Sequence, residues 1–425
     1  MARPTLSPCA TDRFAALAQH LRAVDAVADI QARRSASYAM RGKWLRLLVL
    51  AIAMALFPVS LASAEPFETK ASEALMVDAE TGTILFAKEP DKKIAPAALA
   101  KLMTMEVVFH AIREGRFTLD DTFTVSENAW RTGGAPSGGS TMFAALKSTI
   151  RLGDLIQGVI VQSANDGAII IAEGIAGSEE KFAEQMNARA REIGLKASLF
   201  KNASGLPAEG QVVTVRELVQ LAMHLWRDYP DFYKYYAQPE FTWNKIRQRN
   251  RNPLLAMNVG ADGMATGYTE ESGFAIVGSV SRNGRRVFAA MSGMTSERER
   301  SEEARKLLDW GVDGLRKTDI FAANDIVGEA EVYGGAKSSV ALTAKAPVAV
   351  FVPADDTGLV SARIVYDGPV VAPVGQGAQI GQLKIWVGET LSQDIPLYAA
   401  EEVGAGTFPR RAADAVTELL TGWIR

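Results

Sequence analysis

The stretch PAALAKLMT, residues 96–104, puts Lys101 at the head of an apolar, helix-reading run that continues through Val107 and Val108. A lysine amine carried into apolar surroundings gives up its proton readily and can act as a base. A nucleophile three positions earlier would complete such a pair, but Ala98 stands there. Further on, Gln162-Ser163-Ala164-Asn165 interrupts two apolar helical runs in GDLIQGVIVQSANDGAIIIAEGIAG (153–177), so a hydroxyl and an amide are presented at a buried helix junction. Ala265-Thr266-Gly267 then falls on a strand-reading run. Taken singly, Lys101 reads as a solvated helix start and Ser163-Ala164-Asn165 as an ordinary polar cap. Their joint occurrence in this order carries the chemical reading.

The elements that must position these residues are legible as pattern. ALMVDAETGTILFAKE (74–89) alternates apolar and polar residues around Glu80-Thr81-Gly82, which predicts a β-hairpin. A helical tract begins near Pro96, and helices dominate the middle of the chain. Thr214 with Glu217 predicts a capping box opening an amphipathic helix that ends near Trp226. MATGYTEESGFAIVGSV and RRVFAAMSG read as strands joined at the hairpin turn Asn283-Gly284, and SERERSEEARKLLDWGVDGL as a charged amphipathic helix. After about Lys317 the runs EAEVYGG, SVALTA, VAVFVP, SARIVYDG, QLKIWVG and DIPLYAAE predict a small all-β module. No solenoid-like repeat interrupts this order.

The 425 residues, 48% hydrophobic with a formal charge of −3, suit a globular protein of more than one domain, and no basic excess points to nucleic acid. An apolar stretch from Trp44 to Ala64 follows Arg41, Lys43 and Arg46 and closes on Ala62-Ser63-Ala64. That is the pattern of a secretory signal peptide, with mature chain expected from Glu65 and Met40 as the expected translation start. The lone cysteine, Cys9, would be lost with the leader, so neither a disulfide nor thiol chemistry is expected. Expected divisions are an extension at 1–39, the signal at 40–64, a domain at 65–316, a β-sandwich-like domain at 317–402 and an amphipathic helix at 403–425.

The fragments PAALAKLMT, VQSANDGA, DGMATGYTEESGF and ERSEEARKLLDWG, in this order, resemble the serine-type D-alanyl-D-alanine carboxypeptidases among low-molecular-mass penicillin-binding proteins. The resemblance runs from about residue 70 to the C-terminal helix. It implies an α/β fold, an antiparallel sheet flanked by helices with the N-terminal hairpin packed on the domain's last helix, followed by a small all-β domain. It also implies the motifs Ser-x-x-Lys, Ser-x-Asn and Lys-Thr-Gly, removal of the terminal D-alanine from peptidoglycan pentapeptide stems through an acyl-serine, and no cofactor. Carried over, Lys101 is the expected general base, Ser163 the proton relay and Asn165 a substrate ligand. Thr266 and Gly267 lie on the binding strand, and Arg300 near the substrate carboxylate.

Two positions depart from the family pattern. Ala98 occupies the nucleophile position and Ala265 that of the strand lysine. Alanine has no oxygen to acylate, and loss of a serine nucleophile typically costs on the order of a millionfold in turnover. The chain is therefore expected to be inactive, to bind stem peptide noncovalently at most, and to resist acylation by β-lactams. Because the other motif residues remain, a recent or deliberate exchange in an active parent is the leading explanation. The alternatives are a natural pseudoenzyme acting as a peptidoglycan-binding or divisome scaffold, and a β-lactamase-related protein, against which the β module argues.

Other residues read more plainly. His110 and His224 fit helix-surface or satisfied core positions, so neither zinc nor a Ser-His-Asp triad is expected. Trp130, Tyr268 and the loop GGAPSGGSTMF could line a pocket or pack; nothing brings Ser137 or Ser140 beside Lys101. In the last segment Phe408, Ala412, Val416, Leu419, Leu420 and Trp423 share one helical face, beside Arg410 and Arg411. That pattern predicts a helix lying on the inner-membrane surface of an exported, periplasmic protein.

Overall fold

The computed structural model describes residues 67–353, 360–409 and 411–412. The expected extension, the signal segment and most of the amphipathic C-terminal segment lie outside the described residues. The described residues divide into two compact units, one of residues 68–316 with 389–393, the other of residue 67 and those within 317–388 and 394–412.

The first unit is organised on a five-stranded sheet of β1 (Glu73–Asp78), β2 (Ile84–Lys88), β7 (Ala261–Thr269), β8 (Gly273–Arg282) and β9 (Arg285–Met294), in the order β2-β1-β9-β8-β7. Every pairing is antiparallel. The turn between β1 and β2 closes where Asp78 Oδ1 accepts from Thr81 N at 3.0 Å and Thr81 Oγ1 at 2.8 Å. Asn283 and Gly284, both at positive φ, supply the tight turn between β8 and β9.

Helices α1 (Lys101–Arg113), α2 (Leu152–Val161), α3 (Asn165–Ala176), α4 (Glu179–Glu192) and α5 (Val215–Asp228) precede the last three strands of that sheet, and α6 (Glu297–Asp313) follows them. The N-terminal hairpin packs on α6 as expected. Met76 Sδ lies 2.3 Å from where a Cβ on Gly311 would sit, and Phe86 meets Trp310 edge-on at 6.3 Å. Thr214 caps α5 by accepting from Glu217 N at 3.1 Å. The Glu217 carboxylate turns instead to Ala197 N at 2.7 Å and Ser198 Oγ at 2.5 Å, so it staples a neighbouring loop to the helix start.

Two short ribbons flank this core, β3 (Thr122–Thr124) with β4 (Thr149–Arg151) and β5 (Glu240–Trp243) with β6 (Ile246–Arg249). The second lies in the portion that reads as helical. Its turn is Asn244-Lys245, both at positive φ, and β6 buries only the polar Gln248 while Ile246 is exposed, which masks the strand alternation. The second unit holds a six-stranded sheet of order β14-β16-β17-β12-β11-β15 and a two-stranded pair β10-β13. Its strands run from β10 (Leu315–Phe321), β11 (Ile326–Tyr333), β12 (Ser339–Thr343) and β13 (Val348–Pro353) to β14 (Val360–Tyr366), β15 (Val370–Val371), β16 (Gln379–Val387) and β17 (Thr390–Ala399). Val327, Leu342, Leu383, Ile385 and Leu397 fill its core. Among the described residues no helix is long and apolar enough to cross a membrane.

One polar cluster sits inside the helical layer. Glu106 of α1 is fully buried and accepts from Arg189 Nε at 2.8 Å and Tyr229 Oη at 3.1 Å, with His224 Nε2 at 3.2 Å. His224 is therefore a satisfied core histidine, held also by Asp228 at 2.7 Å, while His110 pairs with Glu114. Burial opposes ionisation of Glu106, but the bonds from His224 and Arg189 outweigh it and hold the carboxyl below its usual range. The cluster's contribution is thus present above the ordinary carboxylate pKa and fades as acid titrates through the lowered one. Arg189→Leu should cost about 3 kcal/mol of unfolding free energy near neutrality and less in acid. Urea unfolding at the two pH values tests this, and an equal loss at both would refute the charged role.

Candidate active site

Lys101 is the first residue of α1, behind the short 3₁₀ turn Ala97–Ala100. Ala97 lies at φ 50°. Gly205 packs so tightly on this turn that a Cβ there would sit 1.7 Å from the Ala97 carbonyl oxygen, and its φ of +77° also favours glycine. That approach brings the Ser204 carbonyl to 2.5 Å from Lys101 Nζ, while Asn165 Oδ1 accepts from the same amine at 2.7 Å. Lys101 is 4% exposed. Burial pulls its pKa down to about 7, against the opposing charges of Asp166 and Glu179. An amine in that range is half neutral near physiological pH and can accept a proton.

Ser163 joins α2 to α3 at φ 57°, a left-handed conformation that costs a non-glycine residue roughly 1 kcal/mol or more. Neighbouring bonds hold it, from Ala164 N to Gly158 O at 3.2 Å and from Asn165 N to Ser140 O at 2.8 Å. Asp166, fully buried in the first turn of α3, accepts from Thr141 Oγ1 at 2.6 Å, Met142 N at 3.0 Å and Ala144 N at 3.0 Å. A carboxylate at a helix N-terminus is favourably placed, and here it also ties the 141–144 loop to the junction. Ser140 of the glycine-rich loop lines the cleft, whereas the Ser137 hydroxyl is engaged by Gly134 O at 2.7 Å. Trp130 packs against the core.

β7 is the edge strand of the five-stranded sheet and carries Ala265, Thr266 and Gly267. A Cβ on Gly267 would lie 2.9 Å from Ala97 Cβ, so glycine lets this strand close on the Ala98 turn. Next to it, Tyr268 is 53% exposed and stacks on Phe274 at 4.3 Å. Arg300, 6% exposed, holds its guanidinium carbon 5.7 Å from the centre of the Phe274 ring. Its Nε finds no partner among the described residues, and burial lowers its pKa.

The structure places six of the eight expected positions on a cleft of about 720 Å³ and the other two on a small cavity that shares Ala98, Ser163 and Thr266 with it. Ala98, Ser163, Asn165, Thr266, Gly267 and Arg300 line the cleft. Lys101 and Ala265 join Ala98, Ser163 and Thr266 around a cavity of about 20 Å³, room for one water-sized group. Two contributors escaped sequence reasoning. The Ser204 carbonyl is a backbone group any residue could supply, so only the following Gly205 hints at a close approach. Asp166 could have been suspected from its place in a helix's first turn.

An antiparallel sheet flanked by helices, with a lysine, a serine and an amide converging beside an edge strand and an all-β domain following, defines a DD-peptidase-like protein. The D-alanyl-D-alanine carboxypeptidase family model matches residues 60–295, and the model of the penicillin-binding protein 5 C-terminal domain matches 316–405. D-alanyl-D-alanine carboxypeptidase DacC of Escherichia coli (strain K12) is 33% identical over 373 residues, covering 86% of this chain and 93% of that protein. DacA of Haemophilus influenzae is 34% identical over 339 residues, 78% of this chain and 86% of that protein. The crystal structure of penicillin-binding protein 5 from Haemophilus influenzae superposes with a TM-score of 0.64 at 33% identity, covering 80% of this chain and 99% of that one. The chain belongs to the D-alanyl-D-alanine carboxypeptidase family.

The buried lysine gives a signed test. Below about pH 7 both folded and unfolded chains hold the Lys101 proton, and the burial cost stands in full. Between about 7 and the ordinary value of 10.5 only the unfolded chain holds it, so stability rises with pH. From pH 7 to about 9 the chain should gain about 2 kcal/mol relative to Lys101→Met in urea unfolding. A pH-independent difference between the two would refute the desolvated amine.

Proposed function

We propose that this chain binds the D-alanyl-D-alanine end of peptidoglycan stem peptides without cleaving it. The observation that supports this reading is that Lys101, Ser163, Asn165 and strand β7 border the same cleft and adjoining cavity as Ala98. An extended peptide adds to β7 as a further strand, and its C-terminal carboxylate meets Thr266 and Arg300, whose Nε has no hydrogen-bond partner among the described residues. Asn165 holds the peptide amide. In an active parent, Lys101 would take the proton of a serine at position 98 as the hydroxyl attacks the scissile carbonyl. Ser163 would then pass a proton to the leaving D-alanine amine.

In this chain the attack has no nucleophile at Ala98. Ala265 further withholds a cation from the site where negative charge develops. We read the two alanines as exchanges in an active parent, with a natural peptidoglycan-binding scaffold as the second reading, favoured by the intact ligand side of the cleft. The β-domain match at 316–405 supports a carboxypeptidase-type parent over a β-lactamase-related one. Export from a leader ending near Ala64 and association of the amphipathic C-terminal segment with the inner-membrane surface complete the reading.

Fluorescent penicillin tests it directly. The chain should remain unlabelled, and Ala98→Ser with Ala265→Lys should label covalently, with a rate gain on the order of a millionfold over any background. Label on the unaltered chain would refute its inactivity. Absence of label on the double variant would show a pocket disabled elsewhere and leave the scaffold reading.

A further inference from the structure

The β5–β6 hairpin contributes one wall of the cleft, through residues 246–251. Arg247 and Arg249 on it and Arg251 just beyond it fall at alternating positions, and all three are exposed and line the cleft. With Arg300 they make four guanidinium groups around one cleft, against a single lining carboxylate, Glu297. The chain as a whole carries a formal charge of −3, so this concentration of positive charge runs against the overall balance.

The hairpin is anchored. Gln248, between two of the arginines, is buried and donates to Met142 O at 3.3 Å, which turns Arg247 and Arg249 to the other face. Asn250 Nδ2 donates to Gln238 O at 2.9 Å, and Arg251 N to Val161 O at 3.0 Å. Arg247 has a carboxylate partner, Glu240, at 2.6 Å. Arg249 and Arg251 have none among the described residues. Arg251 also lines the small cavity with Ala98, Lys101, Ser163 and Ala265, whereas Arg249 lines only the wider cleft.

We propose that Arg249 and Arg251 form a second anion subsite, which selects peptides carrying a carboxylate in the residues that precede the terminal D-alanyl-D-alanine. The subsite is separate from the one for the C-terminal carboxylate at Thr266 and Arg300. It rests on the reading of the cleft as a D-alanyl-D-alanine site and adds a preference within it. The planar fork of arginine suits a carboxylate, and the exposed setting makes the interaction modest and screened by salt.

The test uses two fluorescent peptides ending in D-alanyl-D-alanine, identical except for Glu or Gln at the two preceding residues, titrated with the full chain by anisotropy. The Glu peptide should bind about threefold to tenfold tighter at about 50 mM salt, and the ratio should fall toward one at about 500 mM. It should also collapse in Arg249→Gln with Arg251→Gln, while Arg247→Gln, whose charge Glu240 already meets, keeps it. Equal binding of the two peptides, or a ratio that survives the double variant, overturns the subsite and leaves the D-alanyl-D-alanine reading standing. If neither peptide binds, that reading fails for this chain and the subsite falls with it.

Discussion

The amine of Lys101 is the point on which the cleft depends. It is nearly sealed from water and makes two short bonds, to Asn165 Oδ1 and to the Ser204 carbonyl, so one side chain ties the start of α1 to the start of α3 and to the 203–205 segment. Each tie carries a local cost. The Ser204 carbonyl reaches the amine because Gly205 has no Cβ to strike Ala97, and Asn165 faces it because Ser163 accepts a left-handed backbone. A buried ammonium with so few acceptors is expensive, which is why its pKa falls to about 7 and why the same geometry suits proton transfer.

The surroundings hold this arrangement from behind. Asp166 binds the 141–144 loop to the helix that begins with Asn165, and Glu106, further along α1, joins that helix to α4 and α5 through Arg189, His224 and Tyr229. Both are buried carboxylates that accept from several donors, Glu106 through Oε1 alone, and such bonds are what lets a core hold charge. The helix bearing Lys101 is thus fixed at its head by the cleft and along its length by a polar cluster the cleft does not use. The sheet supplies the other wall, with β7 at its edge and Gly267 small enough to meet the Ala98 turn.

Much of this is legible in the amino-acid sequence, for physical reasons. The β1–β2 and β8–β9 hairpins declared themselves through alternation and turn chemistry, and the α2–α3 junction through two apolar runs broken by polar residues. The β5–β6 hairpin stayed hidden because its turn is Asn244-Lys245 without glycine and β6 is the polar run Arg247-Gln248-Arg249 behind an exposed Ile246, so hydropathy shows no strand there. The Glu217 carboxylate looked like half of a capping box, yet a backbone amide and a hydroxyl from a neighbouring loop captured it. The Ser204 carbonyl had no side-chain signal at all. Local pattern exposes what side chains repeat, and misses what the tertiary fold brings to backbone atoms.

On the proposed reading, the two alanines separate binding from chemistry. An enzyme gains rate only from contacts stronger in the transition state than in the ground state. On the proposed reading, the groups that hold the peptide before reaction, Asn165, the β7 edge, Thr266 and Arg300, all remain. What Ala98 and Ala265 lack is the atom that forms the new bond and a charge placed where negative charge develops. On that reading, binding energy that an active parent would draw on to activate the scissile bond has no transition state to serve and stays in the ground-state complex. A site altered at these two positions should therefore keep a ligand longer than its parent would, because neither acylation nor product release ends the encounter. The same loss suits a trap for a substrate complex and a natural binding module, since both need recognition without turnover.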